Sequence, residues 1–385
     1  MFDLDEVEQL KQAVLARTHG DARQLEKLCE EIRQLKREVR PIYRRSATTI
    51  SLVASDGGDS QLQFDPFLLH VVRVVDSYGK RVCLDVLSPT TDTEELTRAQ
   101  FDETGEPKTV LGVLMRDLGV RSLWELSPMI PRPEDVRAVP ERVSPSWIQV
   151  YRDLCEWAAL YHMMVYGKFH ADTLVVRDGY LRSKVFARDL FIQMCRRIEQ
   201  AVERIYREDR RRVFLVGIAK SSKVLQRYHL AILLESLFPP GEPRFVRVPR
   251  EMEVSVYRWD EYARGMEAAD EPGEGPKFVA GEMYFVRFGS HRDDPIWAVD
   301  VLPSHGPQAQ EIMGYLLEDA IAGFSTPLYP RCLQRAHEQA RIGGLDAELL
   351  QAFLVESIRT LVPKDSVAIF DGMQLRYAQT ERRFP

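Results

Sequence analysis

The spacing of apolar residues changes several times along the 385-residue chain, and each change predicts a different element. Apolar positions recur every three or four residues up to about residue 40, which is typical of amphipathic helices. Between residues 48 and 87 they form three short runs, which predict three consecutive strands at 50–54, 67–75 and 82–86. The turn sequence Ser77-Tyr78-Gly79-Lys80 predicts a hairpin between the second strand and the third.

Two helices are predicted at the N-terminus. Val7, Leu10 and Val14 mark the first, which should stop at Gly20. The second should start at Asp21, with Gln24 completing a capping box, and end at Pro41. This extension could pack on its own domain or pair with a second subunit. Its basic residues, which include Lys36, Arg37, Arg40, Arg44 and Arg45, are interpreted as a solvated face in preference to a DNA contact.

Helices and strands alternate in the second half of the chain. The predicted order is a long helix after Ser144-Pro145, a strand at 174–178, a helix at 187–207, the strand VFLVGIA and a helix capped by Ser221. A polar loop at 264–277 precedes a hairpin of GEMYFVRFG and PIWAVDVLP. Helices then follow at 308–322, after Pro330 and at 346–361, with a closing strand or hairpin in VAIFDGMQLRYA. Residues 88–146 are predicted to form an insertion with a short helix at 110–118.

Composition narrows the class of protein. A 45% hydrophobic content suits a globular chain with a substantial core, and a net charge of −6 argues against a generally basic nucleic-acid binder. The five cysteines are far apart and form no CxxC pair, which favours reduced packing residues over a zinc site. No apolar run reaches the roughly 20 residues of a membrane span. A cytoplasmic protein is therefore expected.

Three acidic residues and one lysine occupy positions that suit a catalytic or metal-binding site. Asp56 and Asp178 each follow an apolar run and precede glycine, so both are predicted at strand ends. Glu156 falls on an apolar stripe of the long helix and needs a cation, of which a metal is one candidate. Lys220 follows the strand VFLVGIA. The structural alternatives are a turn residue for each aspartate, an ion pair with Arg152 for Glu156, and a solvent-facing strand end for Lys220.

The element order, three strands followed by helix, strand, helix, strand and helix, is that of the RNase H-like fold. The predicted fold class is therefore α/β, with an RNase H-like mixed sheet flanked by helices and an N-terminal helical extension. The expected domains are residues 1–45, for dimerisation or partner contact, and residues 46–385, with a variable insertion at about 88–146. In that fold the catalytic carboxylates lie on the first strand, a helix and the fourth strand, which are the elements of Asp56, Glu156 and Asp178.

Taken together, VASDGG at Asp56, the helix acid Glu156, VVRDGYL at Asp178, VGIAKSS at Lys220 and YPRCLQRAH resemble the NurA nuclease family. The last motif contains Tyr329 and His337. The resemblance implies a manganese-dependent nuclease with 5′ to 3′ exonuclease and single-strand endonuclease activity on DNA. It also implies a homodimer that docks on a HerA-type hexameric ATPase.

The resemblance makes Asp56, Glu156, Asp178, Lys220, Tyr329 and His337 the expected catalytic residues. Two ions of Mn²⁺, or alternatively Mg²⁺, suit phosphodiester hydrolysis and prefer carboxylate oxygens. The expected metal ligands are Asp56, Glu156, Asp178 and His337, and for His337 the roles of acid-base group and substrate orienter remain open. Lys220 would contact the scissile phosphate.

The sequence contains no GxxxxGK[ST] phosphate-binding loop, so a separate motor is expected to drive DNA. Roles in DNA end resection and repair and in anti-phage defence both fit. Two alternatives remain: a catalytically silent adaptor for the ATPase ring, and an RNase H-like nuclease acting on another nucleic acid.

Overall fold

The computed structural model describes residues 3–46, 50–76, 79–257 and 278–372. Within these residues, nine strands form one mixed sheet in the order β1-β7-β8-β9-β6-β5-β2-β3-β4. The strands are β1 Arg40–Pro41, β2 Ser51–Phe64, β3 Phe67–Asp76, β4 Arg81–Leu87, β5 Thr173–Asp178, β6 Val213–Ala219, β7 Arg244–Arg247, β8 Glu282–Arg287 and β9 Ile296–Val301. The central strands β2, β5 and β6 are parallel, and all other pairs are antiparallel.

Helices flank this sheet, so the predicted α/β class with a mixed sheet is confirmed. Those before β5 are α1 Leu4–Gly20, α2 Ala22–Leu35, α3 Thr93–Arg98, α4 Val110–Asp117, α5 Leu123–Leu126, α6 Pro133–Ala138 and α7 Trp147–Tyr166. Those after β5 are α8 Leu190–Asp209, α9 Lys223–Leu234, α10 Arg250–Tyr257, α11 Ala309–Ile321, α12 Arg331–Ala340 and α13 Gly344–Leu361. None of the helices in these ranges is long and apolar enough to cross a bilayer.

The side chains of β5 alternate between two hydrophobic layers. Val175 packs in the layer that contains α7 and α8, whereas Leu174 and Val176 pack in the layer that contains α11 and α12. Because successive residues of a strand point to opposite faces, this pattern determines the face to which each later residue of β5 points. The face of α7 and the face of α12 are therefore distinct sides of the sheet.

The first strand of the predicted trio is longer than expected. β2 continues from Ser51 to Phe64 and pairs with β3 along the whole length of that strand. Asp56 therefore lies within a strand, and the prediction that it stands at a strand end is wrong. Glycine lowers strand propensity but keeps its backbone donor and acceptor, so the ladder runs through both glycines. In the predicted hairpin, Gly79 has a φ of 77°, while Ser77 and Tyr78 lie outside the described residues.

The second helix ends earlier than predicted. α2 stops at Leu35, a short 3₁₀ turn follows, and Arg40–Pro41 pairs with β7 as an edge strand. Proline suits such an edge because it has no N–H to donate. The inner face of α2 packs on α9 through Ile32 and Tyr228, whereas the apolar residues of α1 are largely exposed.

Residues 88–146 carry four helices, α3 to α6, instead of one. Asp92 and Thr109 cap α3 and α4 with their side chains, and these helices bury Leu96 and Leu114 in the layer of α7. The predicted cap of the helix after β6 is wrong. Ser222, not Ser221, caps α9, because its Oγ accepts the N–H of Leu225.

The predicted closing strand begins with helical residues at 367–372, and its remainder, like the predicted loop at 264–277, lies outside the described residues. All five cysteines are free, and burial raises the pKa values of the Cys195 and Cys332 thiols. Both thiols are thus neutral packing groups, as the sequence predicted.

Candidate active site

Asp178, Lys220 and Tyr329 meet at the carboxyl ends of β5 and β6. Asp178 is the last residue of β5 and pairs with Ile218 of β6, so Lys220, just beyond β6, lies alongside it. Lys220 Nζ lies 2.5 Å from Asp178 Oδ2, and the Tyr329 hydroxyl donates to Asp178 Oδ1 at 3.3 Å. One carboxylate thus contacts an ammonium group and a hydroxyl.

Tyr329 is held rigidly in this position. Its ring packs on Trp297 with centroids 4.8 Å apart, and its carbonyl accepts the Gln334 side-chain amide at 2.8 Å. The Trp297 indole donates to the Leu328 carbonyl at 2.7 Å, which fixes the chain just before Tyr329. Lys220 Nζ lies 5.7 Å from the centroid of the Tyr329 ring, within cation–π range. Tyr329 therefore positions both charged groups.

Glu156 lies on α7 and is balanced by two arginines. Arg152 Nε is 3.2 Å from Glu156 Oε1, and an Arg177 nitrogen is 3.8 Å from Oε2. The ion pair with Arg152, which the sequence left as the structural alternative, is therefore present. A Cβ atom at Gly57 would lie 2.1 Å from Glu156 Oε1, so the backbone of β2 passes directly against this carboxylate. Glycine at 57 makes room for the acid.

Arg177 is a site residue that the sequence reasoning missed. Its guanidinium lies 4.2 Å from the centroid of Trp157, 2.7 Å from an Asp153 oxygen and 3.0 Å from the Tyr180 carbonyl oxygen. The signal was a charged residue inside the buried strand TLVVRD, since a buried arginine needs carboxylates around it. Arg177 thus ties the turn after Asp178 to the helix of Glu156.

Arg177 and Asp178 serve opposite faces of the sheet. Arg177 contacts residues of α7, whereas Asp178 contacts Tyr329, which belongs to the layer of α11 and α12. Glu156 and Asp178 therefore approach the end of β5 from opposite faces. The structure gathers Asp178, Lys220 and Tyr329 in one cluster and places Glu156 in the neighbouring arginine cluster.

The turn after β5 is anchored by a buried ion-pair network that spacing along the chain could not reveal. Arg182 donates to both oxygens of Asp300 at 2.8 Å and also pairs with Glu253. The Leu181 amide donates to Asp300 at 3.1 Å. All three charged side chains are buried, so each depends on the others for its charge balance. This network fixes the backbone that follows Asp178.

The remaining two predicted residues lie on neighbouring elements. The backbone of Asp56 pairs with Val75, and the parallel pairing of β2 with β5 extends to Ser55 and Arg177, the residues that precede Asp56 and Asp178. The side chain of Asp56 lies outside the described part of the structure. His337 is exposed on α12, the helix whose Ala340 carbonyl would be 2.2 Å from a Cβ at Gly58.

The carboxylate oxygens of the site suit a hard divalent ion, although the described side chains supply only part of a set of metal ligands. Asp178 and Glu156 offer carboxylate oxygens, the ligands that Mg²⁺ and Mn²⁺ prefer. Within the described ranges, His, Cys, Asp and Glu side chains do not gather in a group of three that could hold a metal ion. In this arrangement Lys220 balances Asp178, and the arginines balance Glu156.

Comparison with known proteins gives matches among solved structures only. No family model matches the chain, and no curated protein matches it. It aligns with the crystal structure of the NurA nuclease from Sulfolobus solfataricus at 12% identity and a TM-score of 0.42, covering 94% of this chain and 99% of that one.

Two further matches have TM-scores of 0.37. One is NurA bound to dAMP and manganese, at 12% identity over 96% of this chain and 100% of that one. The other is NurA with manganese, at 13% identity over 92% and 99%. All three matched structures are of NurA. They belong to the family whose motifs the sequence resembles.

Proposed function

We propose that this chain is a metal-dependent deoxyribonuclease of the NurA type. The observation that carries the proposal is the contact of Asp178 with Lys220 and Tyr329 at the ends of two parallel strands. A rigid carboxylate beside an ammonium group suits phosphodiester hydrolysis, because the reaction needs both a hard-ion ligand and a cation for the phosphate. The ordered motifs around Asp56, Glu156 and His337 support the same activity.

Each of these residues would have its own role in catalysis. Asp178, Glu156 and Asp56 would hold the metal ions, with Glu156 and Asp178 reaching the end of β5 from opposite faces. His337 would be a further ligand, acid-base group or substrate orienter. A bound ion of the Mn²⁺ type supplies charge that stabilises the reacting phosphate and lowers the pKa of the attacking water. Lys220 is 47% exposed, so its ammonium can reach a phosphate oxygen from the position it occupies beside Asp178. Tyr329 would keep the Asp178 carboxylate oriented as the substrate binds.

Substrate, cofactor and partners are proposed at a finer level from the sequence resemblance. The substrate would be DNA, cut by 5′ to 3′ exonuclease and single-strand endonuclease steps with two ions of Mn²⁺ or Mg²⁺. A homodimer would receive DNA from a HerA-type hexameric ATPase in the cytoplasm, because the sequence lacks a phosphate-binding loop of its own. End resection in repair and anti-phage defence are both consistent with this activity.

A substrate and metal panel tests the proposal. Purified protein is assayed on single-stranded DNA, duplex DNA, RNA and an RNA–DNA hybrid, each with Mn²⁺, Mg²⁺ or EDTA. DNA cleavage that requires Mn²⁺ and is lost in Asp56→Ala and Asp178→Ala is expected. Cleavage confined to RNA or the hybrid would instead assign an RNase H-like enzyme with another substrate. Cleavage that survives both substitutions would overturn the site assignment.

A second candidate is a catalytically silent adaptor for an ATPase ring. The observation that favours it is the charge balance, since Lys220 pairs with Asp178 and two arginines pair with Glu156. Such pairs can hold carboxylates in place without a metal. Titration with Mn²⁺ that detects neither binding nor cleavage would favour the adaptor. DNA cleavage that requires Mn²⁺ would exclude it.

A further inference from the structure

A cavity of about 650 Å³ lies at the opposite end of the sheet from Asp178. Its walls come from α8, from the start of β6 at Val213 and Phe214, and from the turn that contains Ser304 and His305. Asp178 pairs with Ile218 of β6, which is five residues beyond Val213, or about 16 Å along a strand. The cavity is therefore separate from the candidate active site, and its volume suits a small organic ligand.

Glu199 is one of two acidic residues in the wall of this cavity, and the other is Glu203. Burial raises the pKa of the Glu199 carboxyl, while a hydrogen bond from Ser304 Oγ at 3.5 Å and the charge of Arg196 oppose that shift. Among the described residues, no ion pair forms with this carboxylate. A partly buried carboxylate beside apolar walls is stabilised by a cation that enters with its own apolar body.

The other charged groups described around the cavity form no ion pair with Glu199. Arg212 donates to Asp172 and to both oxygens of Glu311, so its fork of donors is engaged. Arg196 is exposed at the rim, and Glu203, which also lines the cavity, pairs with Arg207. Among these groups, Glu199 is the carboxylate that forms no ion pair within the described residues, so a cationic ligand would supply its partner.

His305 gives the cavity a neutral hydrogen-bond donor. Burial lowers the pKa of His305 to about 4, so the ring is uncharged near neutral pH. Its Nδ1 accepts the Leu215 amide at 3.4 Å, which places the ring proton on Nε2. The His305 ring meets Phe214 edge to face with centroids 5.3 Å apart. The half-exposed Tyr206 completes these aromatic walls. An arginine already lies within 6.0 Å of the Phe214 centroid and another within 6.0 Å of the Tyr206 centroid, so the rings offer a ligand apolar contact.

We propose that this cavity binds a small organic cation, an amine, amidine or guanidine on an apolar arm, with Glu199 as its counter-ion. The aromatic side chains contact the apolar arm, and Glu199 accepts hydrogen bonds from the charged end. A planar amidinium or guanidinium is favoured because its two parallel N–H groups match a carboxylate. The proposal is independent of the nuclease assignment.

Isothermal titration calorimetry on the full chain tests this proposal with two nearly isosteric probes. Benzamidine carries the charge and benzamide does not. We expect benzamidine to bind at least 10-fold more tightly than benzamide, since a charged hydrogen-bonded pair contributes more than 1.4 kcal/mol. Glu199→Gln should lower benzamidine affinity at least 10-fold, whereas Glu208→Gln, at an exposed position of the same helix, should leave it unchanged.

Val202→Trp provides a second variant, because it fills the cavity while Glu199 stays in place. It should abolish benzamidine binding with the fold retained in circular dichroism. Equal affinity for the two probes, wild-type affinity in Glu199→Gln, or no heat from benzamidine up to about 10 mM, where binding would fall short of about 3 kcal/mol, would overturn the proposal.

Discussion

Lys220 Nζ lies 2.5 Å from Asp178 Oδ2 although the two residues are 42 positions apart in the chain. The parallel register of β5 and β6 creates this contact by ending both strands at the same edge of the sheet. The Lys220 side chain is 47% exposed, whereas that of Asp178 is 14% exposed. Such a half-exposed pair contributes little to stability, so its chemical role can be separated from a structural one.

Lys220→Gln should reduce DNA cleavage at least 10-fold because the phosphate loses its nearest cation. The free energy of unfolding should change by less than about 1 kcal/mol. Cleavage rates and urea denaturation measure the two effects, with Lys223→Gln on the following helix as the matched control. A cleavage rate within twofold of wild type would remove Lys220 from the mechanism.

Gly57→Ala should impair activity far more than folding. The new Cβ would lie 2.1 Å from Glu156 Oε1, so the carboxylate at the end of a flexible side chain must move away. We expect at least a 10-fold loss of metal-dependent cleavage, since small displacements of a ligand are costly. Gly343→Ala is the control, because a Cβ there meets no atom within 4 Å. Equal activity in both variants would show that Glu156 is not required where it lies.

Gly179→Ala should destabilise the protein through its contact with Arg177. Gly179 has a φ of 114°, and a Cβ there would lie 2.4 Å from an Arg177 nitrogen. The space that glycine leaves at 179 is therefore occupied by this guanidinium. Gly105 has a φ of 85° and meets no atom within 4 Å, so Gly105→Ala measures the backbone strain alone.

We expect a loss of about 1 kcal/mol in Gly105→Ala and about 2–4 kcal/mol in Gly179→Ala by urea denaturation. Equal losses would mean that Arg177 yields without cost and does not anchor the turn after Asp178.

His305 should make stability depend on pH. Burial lowers its pKa from 6.5 to about 4. Between these values the unfolded chain binds a proton at His305 that the folded chain does not, so stability falls as pH is lowered through this window. The contribution is fully present above pH 6.5 and amounts to about 3 kcal/mol. Urea denaturation at pH 7 and pH 4.5 should show a smaller difference in His305→Asn than in wild type, and parallel curves would contradict the assignment.

The apolar pattern predicted the elements that carry the site because β6 and α7 bury whole faces. β6 was predicted at its observed bounds, Val213–Ala219, since a fully buried strand reads as one continuous apolar run. The apolar pattern did not predict the polar half of β2. Residues from Asp56 to Gln61 have few apolar side chains, and they are strand because β3 completes their backbone hydrogen bonds.

Contacts between distant residues could not be predicted. Arg182 and Asp300 are 118 positions apart and meet only because Asp300 of β9 pairs with Gly217 of β6. The positions of Asp178 and Lys220 at adjacent strand ends could be predicted from the sequence, because each follows a buried strand. The separation of Glu156 and Asp178 onto opposite faces could not be predicted, since it depends on Arg177 occupying the α7 face.

The most direct test of the account is cleavage of single-stranded DNA with Mn²⁺ by wild type and Asp178→Asn. The substitution preserves shape and leaves the Tyr329 hydroxyl a partner, so thermal unfolding should change little. We expect cleavage by wild type that EDTA abolishes, and at least a 100-fold lower rate in Asp178→Asn. Cleavage at the wild-type rate by folded Asp178→Asn, or cleavage that persists in EDTA, would contradict it.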